Sequence, residues 1–224
     1  MTKKRQKVGL CTRTDMPVST IFIVEDNVMV REALISLLTN EGHGVKAYST
    51  ANDFLNAYQP ETPGCLLLDI NLPGISGIEL QTLLAEQQLK IPIIFLTGQA
   101  NVPITIQAFR NGAIDLLEKP VSNEILLERI NEALTIDANI RTKALSQSVI
   151  WQRVERLTKR EKEVMALLAS GYSNKQMAQE LDISSRTVEI HRRRVYEKTG
   201  VESLAELIDL LHVIGYLKRT LFEE

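Results

Sequence analysis

Five side chains with chemical potential are set into this chain in one repeated way: a carboxylate pair at Glu25-Asp26, a third carboxylate at Asp69, a hydroxyl at Thr97 and an ammonium at Lys119. Each follows an apolar run. Thr20-Ile-Phe-Ile-Val24 leads to the acidic pair, Cys65-Leu-Leu-Leu68 to Asp69, Ile91-Pro-Ile-Ile-Phe-Leu96 to Thr97-Gly98, and Ala113-Ile-Asp-Leu-Leu-Glu118 to Lys119-Pro120. Short apolar runs without helical spacing, bounded by turn residues such as Pro63-Gly64 and Pro73-Gly74, read as strands buried on both faces. Ligands of an open parallel sheet bind beyond the carboxyl ends of its strands. Asp69 alone, ahead of a Pro-Gly loop, is as well explained as a turn residue. Four strands that deliver acids, a hydroxyl and an ammonium to one edge are not explained by turns.

The chemistry such a set suits is phosphoryl transfer, which asks a protein mainly for positioning and for neutralisation of spread negative charge. Three acids close together resist ionising unless a cation accompanies them. Mg²⁺ is held typically by one or two carboxylates, waters and phosphate oxygens. Glu25, Asp26 and Asp69 are the candidate ligands, with the backbone carbonyl of Asn71 as a neutral one. Lys119 adds a second positive charge, and Thr97 can donate a hydrogen bond to a phosphoryl oxygen, with room left by Gly98.

A second constellation lies in Ser184-Ser-Arg-Thr-Val-Glu-Ile-His-Arg-Arg-Arg-Val-Tyr-Glu-Lys-Thr199. Val188, His191, Val195 and Thr199 share one stripe at helical spacing, which turns Glu189, Ile190, Arg193 and Glu197 outward. A short helix, a turn and an arginine-rich second helix form a unit that places the second helix in the major groove of double-stranded DNA. Glu189, Ile190 and Arg193 are the candidates for base edges, since Arg suits guanine, Glu a cytosine amine and Ile a thymine methyl. Lys175, Arg186, Thr187, Arg192, Arg194 and Lys198 complete the candidate interface, its cations as phosphate contacts. His191, with no second His or Cys near it, reads as a half-buried scaffold residue.

The elements that position these groups follow from the patterning. Helical spacing predicts helices over 27–41, around Phe54 and Leu55 with Thr50 and Asp53 as cap, over Ile78 to Leu84, over 104–111 closed by Gly112, and from Ser122 through Leu134. Val45 to Tyr48 supply a second strand. Five strands alternating with five helices predict a doubly wound parallel sheet covered on both faces. From Leu157 onward there are only helical signals, predicted at 159–170, 174–181, 185–199 and 204–214. Thr158-Lys-Arg-Glu161, Ser173-Asn-Lys-Gln176 and Ser203-Leu-Ala-Glu206 each read as a capping box.

At 224 residues the chain has room for two domains. Residues 18–140 hold six Lys/Arg against fifteen Asp/Glu, while 183–200 hold five against two. The expected division is a disordered basic tail at 1–17, a first domain at 18–137, a linker at 138–156 that continues the last helix and then loosens, and a small all-α four-helix domain at 157–220. Two cysteines in unrelated contexts, Cys11 and Cys65, argue against a structural disulfide. No stretch has the apolar length of a signal sequence or a membrane span. The expectation is a cytoplasmic protein with no membrane partner.

Glu25-Asp26, Asp69, Thr97-Gly98 and Lys119-Pro120 resemble the acidic pair, phosphoacceptor, switch hydroxyl and lysine of response-regulator receiver domains. Leu68-Asp-Ile-Asn-Leu-Pro-Gly-Ile-Ser-Gly77 and Leu96-Thr-Gly-Gln-Ala-Asn-Val-Pro103 are similar to the FixJ-type subgroup. Leu157-Thr-Lys-Arg-Glu-Lys-Glu-Val164, Ser173-Asn-Lys-Gln-Met-Ala178 and Ser185-Arg-Thr-Val-Glu-Ile-His191 resemble the LuxR-type helix-turn-helix. The resemblance implies a flavodoxin-like α/β receiver followed by a DNA-binding domain, in a phosphorylation-controlled transcriptional regulator of a two-component system. It implies Mg²⁺, a sensor histidine kinase that phosphorylates Asp69, RNA polymerase as a partner, and a homodimer when phosphorylated, with Leu204, Leu207, Ile208 and Leu211 available for a dimer contact. Three residues depart from the family pattern: Leu116 in place of an aromatic, Val121 in place of a common Phe, and Ser185 in place of Pro. An enzymatic phosphohydrolase would need a second acid two residues after Asp69, where Asn71 stands, so no enzyme is expected beyond self-phosphorylation and slow self-dephosphorylation. The alternative is a DNA-binding regulator that acts without phosphorylation.

Overall fold

The apolar runs form a five-stranded parallel sheet: β1 (Thr20–Val24), β2 (Gly44–Tyr48), β3 (Gly64–Asp69), β4 (Ile93–Thr97) and β5 (Asp115–Glu118), in the order β2-β1-β3-β4-β5. The structure is a computed structural model and describes residues 19–98 and 102–216. The expected basic tail at 1–17, Cys11 and residues 217–220 lie outside the described residues. The chain divides into two units at Ile140/Arg141.

In the first unit, side chains alternate across the sheet because successive strand residues point to opposite faces. Ile21, Ile23, Cys65, Leu67, Ile94 and Leu96 meet Leu34 and Leu38 of α1 (Val28–Asn40) and Leu126, Ile130 and Ala133 of α5 (Asn123–Glu155). Phe22, Val24, Leu66, Leu68 and Phe95 meet Phe54 of α2 (Ala51–Ala57), Leu80 and Leu84 of α3 (Gly77–Glu86) and Ala108 of α4 (Val102–Arg110). Both faces are therefore covered, as the uninterrupted apolar character of the strands requires. Each fully buried Phe or Leu of this core contributes roughly 1.5–3 kcal/mol. β4 begins at Ile93 rather than Ile91; Pro92 has no N–H for a ladder, and its carbonyl accepts from Leu66 N–H at 2.9 Å.

The expected loosening within 138–156 does not occur. α5 is one helix through Glu155, since residues 123–155 contain no Gly or Pro to stop it. Its last turns carry Ile150, Trp151 and Val154 into the core of the second unit.

That unit continues with α6 (Lys159–Ala169), α7 (Asn174–Glu180), α8 (Ser185–Thr199) and α9 (Leu204–Val213), closed around Val164, Met165, Leu168, Met177, Val188, Val195, Leu207 and Leu211. The boxes at Thr158/Glu161 and Ser173/Gln176 are complete. The third is not: Ser203 Oγ accepts from Glu206 N–H at 3.2 Å, but the Glu206 carboxylate accepts from the N–H of Glu202. A full box stands instead at Ser76/Glu79, at the start of α3. Gly200 ends α8 with φ of 75°, a left-handed cap that favours glycine.

Candidate phosphoacceptor site and nucleic-acid interface

The strand order puts β1, β3 and β4 side by side, so the groups after them converge beyond one edge of the sheet. Lys119 Nζ lies 2.6 Å from Glu25 Oε2 and 2.7 Å from Asp69 Oδ2. Asp69 Oδ1 accepts from Asn71 N–H at 3.0 Å. Thr97 ends β4 and is buried, while Asp26 and Asn71 are exposed. The loop after Asp69 folds back so closely that a Cβ on Gly77 would lie 2.2 Å from the Asp69 carbonyl oxygen. Only glycine fits there.

The electrostatics are those of a buried acid against a shared cation. Burial raises the Glu25 carboxyl above the ordinary glutamate value, against the hydrogen bond and charge of Lys119 and with the charge of Asp69 adding to the rise. Burial also works against the charge on Lys119, but its hydrogen bonds to Asp69 and Glu25 outweigh it, and the ammonium is held above its usual value. Glu25 Oε1 is buried and accepts no hydrogen bond. Glu25, Asp26 and Asp69 offer carboxylate oxygens within 4.8 Å of one another. A hard divalent cation with oxygen ligands fits this set, because one ammonium leaves the three acids undercompensated and one buried oxygen without a partner. Arg31, which the sequence motifs do not single out, also belongs to this site: its Nη1 donates to the carbonyls of Glu25 at 2.7 Å and Asp26 at 3.1 Å. Its signal was an arginine one turn into the helix that follows the acidic pair. Leu116 is half-buried and packs with Ile104 against the α3/α4 face of the core.

In the second unit, Val188, Val195 and Thr199 are buried and His191 is half-buried, whereas Glu189, Ile190, Arg193, Arg194 and Glu197 are exposed on the opposite side of α8. Arg193 is 71% exposed and its Nε lies 3.5 Å from Glu197 Oε1. Arg186 and Lys175 are exposed; Thr187 is half-buried, its N–H capped by Ser184 Oγ at 3.1 Å. Two of the cations assigned to phosphates are engaged inside the domain. Arg192 donates to Asn174 Oδ1, tying α8 to α7. Lys198 pairs at 2.6 Å with Glu161 Oε2, a carboxylate only 1% exposed.

Burial acts to raise the Glu161 carboxyl, but the hydrogen bonds from Lys198 and Thr158 prevail and hold it below the usual value. A depressed folded pKa gives stability that is present above the unfolded pKa, and that stability is lost as pH falls through the folded value. Glu161→Gln keeps the shape and removes the charge, and the expected cost at neutral pH is about 1–3 kcal/mol. Trp151, the chain's single tryptophan, packs against Tyr216 with ring centroids 6.1 Å apart, so its fluorescence reads this unit during denaturation. The gap between wild type and variant should narrow as pH is taken below about 4; a gap independent of pH would show that the ion pair contributes nothing.

Comparison with known proteins assigns both units. The response regulator receiver domain family matches residues 21–131, and the family described as bacterial regulatory proteins, luxR family, matches residues 155–211. Response regulator protein TodT of Pseudomonas putida is 40% identical over 190 residues, covering 85% of this chain and 84% of its own. Transcriptional regulatory protein FixJ of Bradyrhizobium diazoefficiens is 37% identical over 198 residues, covering 88% and 96%. The solved structure of response regulator StyR is similar with a TM-score of 0.77 at 40% identity, covering 87% of this chain and 98% of that one.

Proposed function

The chain belongs to the two-component response regulators that join a receiver domain to a LuxR-type DNA-binding domain, and from that premise we propose that Asp69 is its phosphoacceptor, with Glu25, Asp26 and Asn71 as Mg²⁺ ligands beside it and Thr97 and Lys119 as its partners in the transfer. The observation that carries this reading is the meeting of Glu25 and Asp69 on the Lys119 ammonium, at 2.6 and 2.7 Å, at the sheet edge. Such regulators act on transcription and are not classical enzymes. A receiver joined to a DNA-binding domain implies a histidine kinase and DNA as partners.

In the transfer, an oxygen of the Asp69 carboxylate attacks phosphorus of the kinase phosphohistidine, the P–N bond breaks, and the electron pair leaves with the imidazole, which takes up a proton. A bound Mg²⁺ supplies neutralisation of the charge spread over the phosphoryl oxygens. The Lys119 ammonium, already on Asp69 Oδ2, follows the charge to the new phosphoryl group. The Thr97 hydroxyl donates to one of its oxygens, and among the described residues nothing lies within 4 Å of where a Cβ on Gly98 would stand. Phosphorylation adds about one unit of negative charge and new acceptor oxygens, which is the differential interaction that biases the receiver toward a second state.

The outward face of α8 reads double-stranded DNA in the major groove, with Glu189, Ile190 and Arg193 at base edges and Lys175, Arg186, Thr187 and Arg194 on the backbone. Arg192 and Lys198 belong to this interface as residues that brace the helix. Dimerisation of the phosphorylated receiver is supported by the exposed apolar residues Val102, Ile106 and Phe109 along α4; RNA polymerase is the proposed further partner. Among the described residues no helix is long and apolar enough to cross a membrane, and the proposed compartment is the cytoplasm.

The test is the affinity for promoter DNA with and without a small phosphodonor and Mg²⁺. Tighter binding after phosphorylation is expected. Equal affinity would replace this reading by that of a phosphorylation-independent DNA binder.

A further inference from the structure

We infer that Arg31 is a positioning residue for the divalent cation: it sets the direction of the acidic pair by holding the backbone behind it. The inference rests on the Mg²⁺ reading of the same site. Glu25 and Asp26 stand where β1 ends and α1 begins, and a two-residue bend of this kind leaves two carbonyls without ladder or helix partners. On one side the bend is closed by β2, through Glu25 N–H donating to the Tyr48 carbonyl at 3.1 Å. On the next it is closed by Asn27, whose Oδ1 accepts from Met29 and Val30 N–H and so starts α1. The two carbonyls between these anchors both accept from Arg31 Nη1, at 2.7 and 3.1 Å. Arg31 itself is half-buried.

The consequence lies in the carboxylates. Glu25 is fixed a second time by Lys119 at 2.6 Å. Asp26 is exposed and is held in place by its backbone. With the carbonyls of both residues on one nitrogen, the Asp26 side chain leaves the chain in a direction tied to that of Glu25, and their oxygens stay within 4.8 Å of each other and of Asp69. Groups that orient metal ligands from outside the coordination shell typically change metal affinity about 10- to 100-fold when removed.

The sign of the effect separates positioning from charge. Removing a guanidinium near a cation site strengthens cation binding if charge alone matters. Positioning predicts the reverse.

The experiment is calorimetric titration of the full-length protein with Mg²⁺, for wild type, Arg31→Ala and Arg31→Lys. The expected result is Mg²⁺ affinity weakened roughly tenfold by Arg31→Ala and by less in Arg31→Lys, whose ammonium can still reach one carbonyl. With a small phosphodonor, the Mg²⁺ concentration for half-maximal labelling should rise by a similar factor while the rate at saturating Mg²⁺ stays near wild type. Unchanged or tighter Mg²⁺ binding by both variants overturns the inference, as does a maximal rate that falls with no change in Mg²⁺ requirement. Should Arg31→Ala fail to fold, Arg31→Lys decides alone by the same criteria. A wild type that takes up no Mg²⁺ overturns the metal reading and this inference with it, whereas a wild type that binds while the variants match it overturns this inference alone.

Discussion

Asp69→Asn is expected to take up no label from a kinase or a small phosphodonor, at any Mg²⁺ concentration. The carboxamide nitrogen is not a nucleophile under these conditions, and its oxygen lacks the charge that drives attack on phosphorus. The carboxylates grouped with Asp69 are Glu25, which is buried and bonded to Lys119, and Asp26, which is exposed. The substitution should leave the fold intact. Lys119 keeps its 2.6 Å bond to Glu25, Asn71 N–H still finds the amide oxygen, and one of three mutually repelling acids has been removed. A melting temperature at or above wild type, measured on the same preparation, therefore distinguishes lost chemistry from lost structure. Labelling of the mutant at the wild-type level would move the phosphoacceptor away from Asp69.

On the DNA side the largest effect is expected from Arg193, and it should be selective. Arg193 stands on the exposed face of α8 with a single weak tie to Glu197 at 3.5 Å, so its guanidinium can turn to a guanine without breaking a packed structure. Arg193→Ala should relax preference at one base position at a cost of roughly 1–3 kcal/mol. Arg194→Ala, also exposed, should weaken all sequences about equally and reduce the slope of log affinity against log salt by about 0.9. Binding measured over a set of single-base variants at several salt concentrations separates the two. Uniform weakening by both would mean that Arg193 sits on the backbone and that the reading face is turned elsewhere.

The parts that were legible in the sequence are those where local chemistry and tertiary role coincide. Cys65 to Leu68 are apolar without helical period because both faces of β3 are covered, and Asp69 is where that demand stops. The caps at Thr158 and Ser173 were readable because a hydroxyl and an acid or amide three residues on are a local device. The same Glu161 also shows the limit. Its capping role was visible, but its burial depends on Lys198 arriving from α8, and nothing local announces that. In the sequence Lys198 therefore reads only as a phosphate contact, whereas the structure pairs it with Glu161. The tie of Arg192 to Asn174 is hidden for the same reason, since Asn174 lies eighteen residues earlier. The continuation of α5 past Thr135 is legible in the lack of Gly and Pro, but its persistence to Glu155 is not, because a polar stretch carries no core signal of its own. What mattered was the absence of any helix breaker, together with Ile150, Trp151 and Val154, which belong to the next core.

Cys65, at the centre of the sheet, has a consequence outside signalling. It is fully buried, and burial, with the charge of Asp137 adding to it, pushes its thiol up to about 12. At neutral pH the reactive thiolate is then a fraction on the order of one in 10⁵, against a few per cent for a thiol in water. A thiol of that kind neither forms disulfides nor alkylates while the receiver is closed, and it regains ordinary reactivity whenever β3 comes apart. In a chain carrying Cys11→Ser, the rate at which Cys65 is alkylated becomes a clock for the opening of the receiver. Any ligand that binds only the closed form slows that clock by a factor of one plus the ratio of its free concentration to its Kd.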